Sequence, residues 1–86
     1  MVRIWAKLLK EEKILKDLIY EQEESFEIEN FQTYMEDISG RLEISTPIVL
    51  TKHIKHYVCF NNAVFLPADF AEVVDFDRLV IEEASL

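Results

Sequence analysis

Eighty-six residues suit one domain, since domains run to about 50–200 residues, and a half-apolar composition with one Gly and two Pro is that of a chain that folds. The lone cysteine, Cys59, excludes an internal disulfide, and a net charge of −8 opposes general affinity for nucleic acid or an anionic membrane. No apolar run reaches the roughly 18 residues of a membrane span and MVRIWAKLLKEEK has no signal-peptide core, so the expectation is one cytoplasmic domain over 1–86.

The first segment is a near tie. Val2, Ile4, Ala6 and Leu8 alternate with Arg3, Trp5 and Lys7, the period of a half-buried strand. Ile14, Lys16, Leu18 and Tyr20 continue the alternation, with Lys10–Lys13 (KEEK) as the turn. Yet Ile4, Leu8, Leu15, Leu18 and Gln22 also fit a heptad, and Lys, Glu and Leu favour helix. KEEK is a poor hairpin turn, because it lacks the Asn or Gly that takes positive φ readily.

Phe31, Tyr34, Met35, Ile38 and Leu42 recur at helical spacing, with acids on the opposite face. Ser25 or Asn30 is the expected cap, and Gly40 marks either the helix end or a close approach of another backbone. Thr46-Pro47 predicts the start of a second helix, running to about Phe60 with Leu50, Ile54, Tyr57 and Val58 inward. Asn61-Asn62 stops it, since Asn tolerates the left-handed conformation. Ala63–Leu66 is a short apolar run, Asp69–Val74 suggests one helical turn, and Arg78–Ala84 (RLVIEEA) reads as a closing strand. The sum is an α+β fold: N-terminal β-hairpin, two central helices, C-terminal strand. A mostly α fold is the alternative.

IWAKLLKEEKILKD, STPIVLTKHIKH and NNAVFLPADFAEVVDFDRLVIE, in this order, resemble a family of short uncharacterised proteins of Gram-positive bacteria. The resemblance covers nearly the whole chain. It implies Gly or Asn in the turn after the first strand and so favours the hairpin, although Glu11-Glu12 departs from that pattern. It implies no activity.

Charge is distributed as a mosaic: +2 over 1–20, −7 over 21–43, +2 over the acid-free 44–68 and −5 over 69–86. The most suggestive stretch lies in the acid-free block, where Lys52, His53, Lys55 and His56 are the candidate binding residues. His53 and His56 are neighbours on a helix and could share a metal. Cys59 then points about 120° away from His53, and only Asp69, Asp75 or Asp77 could complete the ligand set. His56 and Cys59 could instead form a thiol–imidazole pair, but one Gly leaves little for an oxyanion pocket. Asp75-Phe76-Asp77 reads as a turn acid with an Arg78 ion pair more than as a cation site. No catalytic residue, metal or cofactor is assigned.

A small protein-interaction or regulatory module is the expected function. The ten aromatics are many for so small a core, and Trp5, Phe26, Phe65, Phe70 and Phe76 are not all placed inside. A homo-oligomer or another protein is the expected partner, joined through an edge strand at Ala63–Leu66 or Arg78–Ala84. The alternative is a helix-turn-helix nucleic-acid-binding protein built on the 41–60 hairpin. It would set Lys52 and Lys55 on phosphates, although Ile48, Val49 and Leu50 are poor base readers and nucleic acid is the less expected partner. A metal-dependent enzyme is third.

Overall fold

The computed structural model describes residues 1–84. Strand β1 (Val2–Lys10) turns directly into β2 (Lys13–Gln22), and the hairpin settles the near tie against the helix. Glu11 and Glu12 take φ of 52° and 64°, the positive values that a two-residue type I′ turn demands. Two neighbours hold this unfavourable turn. The Glu11 N–H donates to Asp77 Oδ2 at 2.6 Å, and Lys10 Nζ pairs with Asp75 Oδ1 at 2.8 Å. The register then shifts: Leu9 faces Ile14 and Leu8 faces Lys16, leaving Leu15 as the extra residue of a bulge.

Helix α1 (Phe31–Leu42) follows a single 3-10 turn at Ile28–Asn30. Phe31, Tyr34, Met35, Ile38 and Leu42 are all buried, as their spacing requires. Neither expected cap operates: Asn30 is the N-cap residue but its side chain makes no cap bond. The helix also runs through Gly40, where an added Cβ would meet no heavy atom within 4 Å. It ends instead on Glu43 at φ 61°, with Glu43 N–H on Gly40 O and Ile44 N–H on Ser39 O. That is a Schellman ending with a glutamate in the position glycine favours.

Helix α2 (Thr51–Phe60) begins four residues later than Thr46-Pro47 predicts. Pro47 is buried and Ile48 N–H donates to Asp69 O at 2.7 Å, so the backbone at Ile48 is committed to a tertiary contact before the helix starts. The inward face is accordingly His53, Ile54 and Tyr57, while Leu50 and Val58 are exposed. Asn61 stops the helix in the left-handed conformation (φ 61°) as expected. Strand β3 (Asn62–Phe65) follows, and the one helical turn of this region is a 3-10 turn at Pro67–Asp69 rather than at Asp69–Val74.

Strand β4 (Arg78–Glu83) closes the sheet, whose order is β2-β1-β4-β3 with every pair antiparallel. β4 therefore lies inside the sheet and is no edge, contrary to one of the two edge expectations; β3 and β2 are the edges. The architecture is α+β, with both helices on one face. Val2, Ile4, Ala6 and Leu8 of β1 meet Leu79 and Ile81 of β4, Ala63 and Phe65 of β3 and Tyr20 of β2 beneath them. Phe65, Phe70 and Phe76 are buried and Phe26 is partly so, stacked on Tyr57 at 5.6 Å. Of the five aromatics in doubt, only Trp5 points away from the core.

Candidate functional site

Strand alternation decides what the uncovered face of the sheet displays, because odd-numbered β1 residues point away from the core. Trp5 stands opposite Ile19 on β2, and Val80 on β4 stands opposite Val64 on β3. Leu9 and Ile14 form a third apolar pair near the hairpin turn. Between these lie six charges, Arg3, Lys7 and Arg78 against Asp17, Glu21 and Glu82, so the face is neutral on a chain of −8.

Five of those charges are engaged across strands within the molecule. Arg3 Nη2 meets Glu21 Oε2 at 2.6 Å, and Lys7 pairs with Glu82. The Trp5 indole N–H donates to Asp17 Oδ2 at 2.9 Å, and the Lys7 ammonium lies 4.1 Å from the Trp5 ring centroid. An aromatic held at its edge by a carboxylate and over its face by a cation has a fixed orientation at the centre of the face. Sequence reasoning left Trp5 unplaced and passed over its neighbours. The alternation of β1 carried the signal, but the strand order needed to join it to Val80 and Val64 did not appear in it.

The four residues singled out in the acid-free block divide. Lys52, His53 and His56 line one shallow pocket of about 240 Å³ between α2 and β3, and Lys55 is exposed outside it. His53 is buried at 3 % exposure, stacked on Phe65 at 4.3 Å. Its Nδ1 accepts the Leu50 N–H at 2.9 Å, which places the ring proton of the neutral imidazole on Nε2. That Nε2 has no hydrogen-bond partner and stands 3.4 Å from Asp69 Oδ2, whose own bond is to the Leu66 N–H at 2.8 Å. His53 thus caps the start of α2 from its third position; a ligand role would break that cap.

His56 makes a different contact. Its Nδ1 lies 2.7 Å from Asn62 O, a bond in which the ring N–H donates to the carbonyl, and its ring leans on Phe60. The two histidines therefore have separate partners. Among the described residues no group of three or more His, Cys, Asp or Glu is arranged to hold a metal ion. Cys59 is exposed on α2. Asp75 and Asp77 serve the hairpin turn, with Lys10 rather than Arg78 as the ion-pair partner. Lys10 holds the Asp75 carboxyl below its usual range through their hydrogen bond, and Asp75 raises Lys10 in return.

A second recess of about 210 Å³ includes Phe26, Tyr57 and Glu83; burial, with the Glu83 charge adding, pushes the Tyr57 hydroxyl up to about 12. The 41–60 segment joins its helices through eight residues, Glu43 to Leu50, rather than the three or four of a helix-turn-helix. No helix among the described residues is long and apolar enough to cross a membrane. No known family model, curated protein or solved structure matches the chain.

Proposed function

We propose that the chain is a protein-interaction module that associates with a second copy of itself through the uncovered sheet face. The observation that carries this reading is the neutral, Trp5-centred array. Two chains of −8 repel, and the least repulsive approach is through a surface on which three positive and three negative groups cancel. Because Arg3, Lys7, Asp17, Glu21 and Glu82 already have partners within their own copy, burying them leaves few charges uncompensated.

The β2 edge supports the same choice. β2 carries Lys13, Lys16, Asp17 and Glu21 and is bulged at Leu15, devices that discourage strand-to-strand pairing. Four strands at about 4.8 Å spacing and about seven residues at roughly 3.3 Å give a footprint near 440 Å² per copy. Roughly 900 Å² in total lies at the low end of specific interfaces and suits a reversible dimer.

Sedimentation velocity over ~1 μM to ~1 mM tests the proposal, that range spanning the affinities of a reversible contact. The expected result is a monomer–dimer equilibrium with a concentration-dependent shift in the emission of Trp5, the single tryptophan. Trp5→Lys changes no core residue and should yield a folded monomer. A strict monomer at the highest concentration, or a dimer unaffected by Trp5→Lys, overturns the reading.

A further inference from the structure

The edge strand β3 carries an independent site. Glu83 N–H donates to Asn61 O at 2.8 Å, which fixes the alternation: Ala63 and Phe65 turn their backbone groups toward β4, and Asn62 and Val64 turn theirs outward. An outward group on either side of Val64 is taken. His56 Nδ1–H holds Asn62 O at 2.7 Å, and the Asp69 carboxylate holds the Leu66 N–H at 2.8 Å. Val64 is left with an outward N–H and C=O between two side-chain stops, and the pocket lined by Lys52, His53 and His56 opens beside it.

We propose that this edge takes one short extended peptide segment, an apolar residue flanked by acidic ones, paired through its backbone to Val64. A strand added antiparallel would exchange two hydrogen bonds with Val64, the smallest unit of strand addition. The residue opposite Val64 shares its face of the sheet, and Val64 is itself 38 % exposed, so an apolar side chain fits there. The residues before and after it point to the α2 side, into the pocket rimmed by Lys52 and His56. Lys52, on the pocket rim, supplies the positive charge from the acid-free block of the chain, and acidic side chains complement it. Asp69, the one carboxylate in the pocket, faces His53 Nε2 and the Leu66 N–H. The two stops fix the register and keep the edge from open-ended pairing.

The probe is a capped hexapeptide alternating Glu and Val, with an alternating Lys and Val peptide as counterpart, titrated at low ionic strength while amide chemical shifts are followed. The acidic peptide should saturably shift the Val64, Lys52 and His56 signals and slow exchange of the Val64 amide. Lys52→Glu, at an exposed position, should weaken binding at least about tenfold. Val64→Pro removes the outward N–H while leaving the bonds to β4 in place, and should abolish the shifts; should it fail to fold, Lys52→Glu decides. Trp5→Lys should bind the peptide as the parent chain does at concentrations where the parent is monomeric, which separates this site from the proposed dimer. Equal binding of the basic peptide, shifts confined to the Trp5 face, or parent-like binding by Lys52→Glu overturns the proposal.

Discussion

The Glu11-Glu12 turn gives the most direct test of the physical reasoning behind the hairpin. Both residues sit at positive φ, 52° and 64°, where a side chain with a Cβ is disfavoured by about 1–2 kcal/mol. Glu12→Gly removes that penalty at one position, offset by about 0.5–1 kcal/mol for the greater freedom of glycine in the unfolded chain. A net gain of about 0.5–1 kcal/mol follows, or roughly 3–6 °C in Tm for a domain of this size. Glu12→Ala is the control. It removes the same negative charge but keeps the Cβ, so it isolates any gain from reduced repulsion. Thermal and urea unfolding, followed by circular dichroism and by Trp5 fluorescence, compares the two. The Glu11 N–H bond to Asp77 belongs to the backbone and survives both substitutions. If Glu12→Gly is no more stable than Glu12→Ala, the turn does not store the strain argued for it.

In α1 the glycine and the left-handed position are misaligned, which gives a second pair of expectations. Gly40→Ala should stabilise by about 0.5–1 kcal/mol, since nothing lies within 4 Å of the new Cβ, and Glu43→Gly by a similar amount; urea midpoints with unchanged slope would show it. Tyr57 should titrate well above the usual tyrosine value. Its proton is held to about 12 in the folded chain but released near 10.0 when unfolded, so stability is unaffected below 10.0 and falls as pH rises from there through 12. Tyrosinate absorbance of the parent and of Tyr57→Phe checks this, the variant losing the late step and the matching slope. Asp75 is held low by Lys10, so its contribution is present above the unfolded value of 3.8 and is lost as pH falls through the lower folded one. Lys10→Gln should raise the Asp75 carboxyl in a carbon-detected titration, with only a small stability change because the pair is exposed.

What the sequence disclosed about the fold depended on whether the deciding contact was local. The five apolar residues of α1 are spaced to lie on one face, and Asn61 can stop a helix unaided, so both were legible. The start of α2 was not, because Thr46-Pro47 is a sound local cap overruled by the distant Ile48–Asp69 bond. The same holds for the hairpin: KEEK is a poor turn by its own chemistry, and Asp75 and Asp77, more than sixty residues away, hold it. His53 stands out in the sequence by its spacing from His56, and the bond it makes, accepting the Leu50 N–H at the helix start, depends on where α2 begins and so was not legible there.

The candidate surfaces were harder to read, since charge along the chain differs from charge across the sheet. Blocks of +2, −7 and −5 contribute Lys7, Glu21 and Glu82 to one neutral face, and only the strand order β2-β1-β4-β3 brings them together. That order also links the two proposals. β3 forms one border of the open face and at the same time offers the free backbone at Val64, so a strand added there widens the face from four strands to five. The acidic peptide should therefore tighten the dimer, and dimerisation should tighten peptide binding by the same factor, as linkage requires. Repeating the sedimentation series with saturating Glu–Val peptide measures this coupling. An unchanged dimer constant would mean that the added strand stays outside the contact, and a weakened one that it competes for the same surface.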